Sequence, residues 1–190
     1  MKKYLFGGIV CLTIGTMLLS STSFAQKPNK KMIERGKWLV GFAGCDDCHT
    51  PKTFGPKGPE FDMTKRLSGS PAHIPVPEIP KEVLGPAKWG ALVSNDMTQW
   101  AGPWGVSFTA NLTPDIETGT GSWNAATFVK IFRTGKHLGE GRDILPPMPW
   151  QVISSLSDAD LKAIFAFLQS LPPIKNAVRE PIPPVVEEKK

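Results

Sequence analysis

The chain has 190 residues, with 22 Lys and Arg against 17 Asp and Glu, a formal net charge of +5 and an isoelectric point near 9.2. That length suits a single domain with a core of its own. The mild basic excess permits docking to an acidic partner, and with no basic run interleaved with aromatics it argues against nucleic acid as a partner.

The first residues read as an export signal. Lys2 and Lys3 precede an apolar stretch from Leu5 to Leu19, and Ser23-Phe24-Ala25 places small residues where a signal peptidase reads, so cleavage is expected after Ala25. The stretch is short for a membrane span and carries Gly and Thr, so membrane association follows only if it is retained. Cys11 lies within it, and Val10 before it does not suit a lipidation site. Cleavage leaves about 165 residues with a charge near +3.

The first predicted helix runs from about Asn29 to Gly44, with Ile33, Gly36, Trp38, Leu39, Val40 and Phe42 on its apolar face. It leads into Cys45-Asp-Asp-Cys48-His49, a C-x-x-C-H run and the most specific signal in the chain. This is the attachment pattern of c-type haem. Two thiols on one helical turn reach the two vinyl groups, and the adjacent histidine becomes the proximal iron ligand. Bacterial haem attachment takes place outside the cytoplasmic membrane, so motif and export signal agree on a periplasmic location. Both thiols are used by the haem, and no structural disulfide is expected. Two alternatives stand beside this reading. A zinc-binding module needs four ligands, and the remaining histidines, His73 and His137, stand alone. A redox dithiol belongs in a strand–helix setting that is not evident here.

From Lys52 to Val106 the chain is rich in Pro and Gly and shows no helix-length period, so a long irregular insertion is expected. The run His73 to Pro80 is extended or polyproline-like. Trp89, Trp100, Trp104 and Phe108 offer apolar area to cover a cofactor face. A second helix follows Ser122 as N-cap, with Ala125, Phe128, Val129 and Phe132 on one face and Gly135 as its stop.

The sixth iron position decides what a haem site does. Met148 lies in Leu145-Pro-Pro-Met148-Pro-Trp150, where flanking prolines restrict the backbone and present the thioether in a fixed direction. Met63 and Met97, or His73 and His137, are the other candidates; Met32 is too close to the first helix. With Met148 as ligand the chain is an electron carrier rather than a catalyst. With the sixth position open it is a haem enzyme or gas sensor.

The third helix is the clearest. Ser157 and Asp160 resemble a capping box, Leu161, Ile164, Phe165 and Leu168 form one stripe, and Pro172-Pro173 end it. Its expected partner is the first helix, approached closely at Gly36, with Phe165 and Phe167 as ordinary core. The chain divides as 1–25 signal, 26–171 domain and 172–190 a Pro-rich, solvated tail.

Arg35-Gly36-Lys37-Trp38-Leu39-Val40 followed by Cys45 to Thr50 resembles the opening of class I cytochrome c domains. Asn111-Leu-Thr-Pro-Asp115, Thr118-Gly-Thr-Gly121, Trp123 and Met148-Pro-Trp150 narrow the resemblance, over roughly Lys31 to Leu171, to the haem domains in cytochrome subunits of membrane-bound alcohol and aldehyde dehydrogenases. The resemblance implies an all-α cytochrome c domain around one covalent haem c. It implies Cys45 and Cys48 as attachment residues, and His49 and Met148 as axial ligands. It also implies redox partners, a dehydrogenase upstream and a terminal oxidase or other cytochrome downstream. Those subunits usually carry three haem domains, whereas this chain has one C-x-x-C-H, as a shuttle or accessory acceptor would. Asn111, Trp123 and Arg142 are candidate haem or propionate contacts.

Overall fold

The computed structural model describes residues 29–80 and 88–184. The expected export signal, with Cys11 and the cleavage point, and the last residues of the tail lie outside the described residues. The fold begins with α1 (Lys30–Phe42), whose N-cap Asn29 side chain accepts the Met32 N–H at 2.9 Å. Gly44, in the left-handed conformation at φ 64°, turns the chain directly into α2 (Cys45–His49), the C-x-x-C-H turn.

The stretch after α2 corrects the all-α expectation. It forms two small antiparallel sheets, so the fold of the described residues is mixed α/β, with five α-helices. Strands β1 (Lys52–Gly55) and β2 (Gly58–Phe61) make one hairpin. Strands β3 (Leu92–Val93), β4 (Gln99–Gly102) and β5 (Gly105–Phe108) make the other sheet, in that order. The physical reason lies in two matching turns, Gly55-Pro-Lys-Gly58 and Gly102-Pro-Trp-Gly105. In each, proline sets φ after the first glycine, and the last glycine takes positive φ, 101° at Gly58 and 92° at Gly105. Strands of four residues or fewer are too short for their alternation to be visible as a pattern.

The remaining helices are α3 (Ala125–Thr134), α4 (Trp150–Ser154) and α5 (Asp158–Leu168). The N-cap of α3 is Asn124 rather than Ser122, because the Asn124 carboxamide accepts the Thr127 N–H at 2.8 Å. Gly135 stops α3 as expected, at φ 68°, and a Cβ there would strike the Trp150 ring of α4. Ser157 caps α5 by accepting the Asp160 N–H at 3.1 Å. The Asp160 carboxylate also meets Arg35 of α1 at 2.8 Å, which ties the start of α5 to α1.

The core lies where α1, α3 and α5 meet. Leu39 and Val40 pack with Phe128, Ile131 and Phe132 and with Leu161, Ile164, Phe165, Phe167 and Leu168. Phe128 contacts Phe132 and Phe165 at ring-centroid distances of 5.1 and 5.3 Å. The α1–α5 crossing is close because Gly36 has no side chain, and a Cβ there would overlap the Ala163 carbonyl.

Residues 172–184 are largely exposed, as a solvated tail would be, but they are docked on the domain. Ile182 exchanges two backbone hydrogen bonds with Val106 of β5, at 2.8 and 2.9 Å, and the Asn176 side chain bonds to the 68–72 segment. The reason is long-range pairing, across 108 residues of chain for Asn176 and Ser68, which local composition does not encode.

Two substitutions in α1 test this packing. Gly36→Ala is expected to lower the unfolding free energy by about 1–3 kcal/mol through overpacking. Gly41→Ala, where an added Cβ meets nothing within 4 Å, is expected to raise it by about 0.5–1 kcal/mol. Equilibrium denaturation of the two variants reads both signs.

Candidate functional site

The site is built outward from α2. Five residues of helix place Cys45, Cys48 and His49 on one turn, and neither cysteine is in a disulfide. Cys45 is half-buried and packs against the core cluster, while Cys48 is half-buried at the edge of the turn. Burial, reinforced by Asp46, pushes the Cys45 thiol up to about 11. Burial raises Cys48 as well, against the opposing charge of Lys52. Reactive dithiols have depressed values, so these directions are the opposite of what a disulfide oxidoreductase needs.

His49 is buried, and its Nδ1 lies 2.8 Å from the Ala110 carbonyl oxygen. A carbonyl only accepts, so Nδ1 carries the proton and donates it. Nε2 is then the lone-pair nitrogen, free to act as a ligand. Burial holds the imidazole below its ordinary value, outweighing the Ala110 bond and the Asp46 charge, so the ring is neutral at pH 7. This is the tautomer and charge state that a metal-ligating histidine requires.

Asp46 and Thr50 lock the turn in place. Arg66 forks onto Asp46, with Nε to Oδ1 at 3.0 Å and Nη2 to Oδ2 at 2.7 Å. Burial works against the Asp46 charge, but the Arg66 and Thr50 hydrogen bonds prevail and hold the carboxyl below its usual range. The fully buried Thr50 hydroxyl donates to Asp46 at 2.7 Å and accepts the Leu67 N–H at 2.9 Å. On the other side, the Lys52 ammonium donates to the carbonyls of Asp47 and Asp96, the latter at 3.0 Å. It thus fastens the last turn of α2 to the loop before β4.

Met148 lies in the loop between α3 and α4. It is half-buried and packs against the same core cluster as Cys45. The other methionine candidates differ: Met63 is exposed, and neither it nor Met97 joins that cluster. His73 and His137 are exposed. The Met148 loop is anchored by the sheet that sequence reading missed, because Ser107 of β5 donates its hydroxyl to the Pro146 carbonyl at 2.6 Å.

The Asn111 carboxamide is committed to bonds within the protein. Its Oδ1 accepts from the Thr113 N–H and hydroxyl, and its Nδ2 donates to Thr118 Oγ1 and the Ile174 carbonyl. Trp123 packs against the core and meets His137 edge-on at 6.0 Å. Arg142 lies 3.8 Å from Glu180 on the surface. The residues that sequence reasoning missed are Thr50, Arg66, Ser107 and Ala110. Only Thr50, beside the motif, carried any local signal.

No family model matches the chain. Curated proteins do. Over 145 residues, 76% of the chain, it is 28% identical to one subunit of the nicotinate dehydrogenase of Pseudomonas putida, covering 9% of that protein. Over 162 residues, 85% of the chain, it is 26% identical to the cytochrome c subunit of the quinone alcohol dehydrogenase of Gluconobacter oxydans. Over another 162 residues, 81% of the chain, it is 29% identical to the fructose dehydrogenase cytochrome subunit of Gluconobacter japonicus. The chain spans 26% of the length of each of these two cytochrome subunits. The resemblance carried by the motifs is therefore present along most of the chain: its homologues include cytochrome c subunits of alcohol, gluconate and fructose dehydrogenases.

Thr50→Val keeps the shape of the side chain and removes both hydrogen bonds. It strands a buried Leu67 N–H, so unfolding free energy is expected to fall by about 1–3 kcal/mol. A loss below about 0.5 kcal/mol in urea titration would show that the hydroxyl does not hold the turn.

Proposed function

We propose that the chain is an exported monohaem c-type cytochrome module that accepts single electrons from a dehydrogenase and passes them to a respiratory acceptor. The observation that carries this is the α2 turn: two free thiols beside a buried, neutral histidine whose Nδ1 proton is committed to Ala110. The donor set fits a haem. Cys45 and Cys48 would hold it by thioether links, and His49 Nε2 and the Met148 thioether would take the axial positions. Among the described residues there is no cluster of three His, Cys, Asp or Glu side chains able to hold a metal ion, which favours haem over zinc.

When bound, haem c supplies reversible exchange of one electron between ferrous and ferric iron. The chain's own residues set the conditions. Ala110 orients the imidazole, Thr50 and the Asp46–Arg66 pair hold its helix, and Ser107 fixes the loop that presents Met148. The core cluster against Cys45 keeps water from one side of the turn. A donor set of Met148 thioether and His49 imidazole would favour the ferrous state, which suits accepting electrons from an upstream donor.

The named functions of the relatives support a dehydrogenase as donor, and the proposed downstream acceptor is a terminal oxidase or another cytochrome. A single C-x-x-C-H and a span of about a quarter of the cytochrome subunits support one haem module. The basic start and apolar run of the first 25 residues support a periplasmic location after cleavage at Ala25.

Spectroscopy of the exported protein tests the reading. A c-type pyridine haemochrome, with the weak red-edge band of methionine sulfur on ferric iron, is the expected result. Absence of haem from cells that mature other c-type cytochromes refutes it. For the sixth position, reduced Met148→Ala is expected to bind carbon monoxide while the parent does not. A variant as closed to carbon monoxide as the parent would remove Met148 from the assignment.

A further inference from the structure

The 172–184 segment hydrogen-bonds to two stretches of chain, 68–72 and 111–118, that neighbour the Ala110 carbonyl on which His49 is oriented. The segment from Leu67 to Ser70 lies between His49 and the 109–112 segment. Gly69 N–H donates to the His49 carbonyl at 2.8 Å, Ser70 N–H to Thr109 O at 2.9 Å, and Leu112 N–H to Leu67 O at 2.9 Å. Gly69 has φ 76°, and a Cβ there would overlap the Thr109 and Ala110 backbone. Ala110, whose carbonyl orients His49, therefore sits in a layer with no slack.

Residues 174–176 close that layer from outside. Asn176 Nδ2 donates to the carbonyls of Ser68 and Ser70 at 2.8 and 2.9 Å, and its Oδ1 accepts the Ala72 N–H at 3.1 Å. Its own N–H donates to Thr118 Oγ1 at 3.0 Å. The Ile174 carbonyl accepts from Asn111 Nδ2 at 2.8 Å, and the Ile174 N–H donates to Thr113 Oγ1 at 3.1 Å. One short strap thus grips both segments beside the histidine. The groups it grips are buried, with Ser68 at 2%, Ser70 at 3% and Asn111 at 4% exposure, so water cannot replace the bonds.

We infer that Asn176 is a positioning residue for the iron site: its carboxamide ties the 68–72 segment to a strap whose Ile174 backbone holds Asn111 and Thr113, and through that strap it keeps the Ala110 carbonyl against His49 Nδ1 and so tunes the proximal ligand. This rests on the reading of His49 as iron ligand. A full-strength bond from Nδ1–H to a carbonyl makes the imidazole a stronger donor to iron and favours the ferric state. Relaxing the clamp weakens that bond, which raises the midpoint potential and loosens the axial ligation.

The test uses the exported full-length protein and compares Asn176→Ala with Lys175→Ala. Lys175 belongs to the same strap, but its side chain pairs only with the exposed Glu117. For Asn176→Ala the expectation is a higher midpoint potential than the parent, with a changed affinity of the ferric form for exogenous imidazole. Lys175→Ala is expected to match the parent in both. If Asn176→Ala carries haem but retains the parental potential and imidazole affinity, the strap is structural only and the inference fails. Should Asn176→Ala not fold, Asn176→Gln keeps the amide and displaces it by one methylene; an unchanged potential and affinity there overturn the inference equally. Absence of haem from the parent protein would instead remove the functional reading on which the inference stands.

Discussion

The hydrogen bond from His49 Nδ1 to the Ala110 carbonyl is the interaction on which the site depends. It joins the C-x-x-C-H turn to a segment 61 residues later in the chain, and it selects the tautomer that leaves Nε2 free. Much of the surrounding structure serves to hold its two ends. Thr50 and the Asp46–Arg66 pair fix the helix that carries the donor. Gly69, Asn111 and the 174–176 strap fix the segment that carries the acceptor.

The architecture separates two duties. The α1–α3–α5 cluster supplies stability through close packing at Gly36 and clustered phenylalanines. The polar layer of Thr50, Ser68, Ser70, Asn111, Thr113 and Thr120 supplies geometry, since buried hydroxyls and amides must be paired and accept few arrangements. The small sheet β3–β4–β5 links the two ends of the site: β5 holds the Met148 loop through Ser107 and pairs through Val106 with Ile182, six residues beyond the strap.

An electron carrier benefits from this division. Electron exchange costs least when the ligand set changes little between oxidation states, so a site clamped on both sides suits the proposed role better than a mobile one. The same clamping explains why the histidine, and not the cysteines, is the most deeply buried member of the motif.

What the chain's local sequence determined was the chemistry and the three longer helices, while the short α4 went unpredicted. C-x-x-C-H needs only five consecutive residues, and the stripe of α5 repeats at the helical period, so both are legible without any tertiary contact. Gly36 pointed correctly to the α1–α5 approach because a lone small residue in an apolar face has one common use. The two sheets were missed, although Gly55-Pro-Lys-Gly58 and Gly102-Pro-Trp-Gly105 carried a turn signal, because their strands are too short to alternate visibly. Ala110, Arg66, Ser107 and Asn176 were decided only by the tertiary structure. Each acts through a backbone carbonyl or a partner 20 to more than 100 residues away, and a carbonyl has no side-chain identity for a sequence to display.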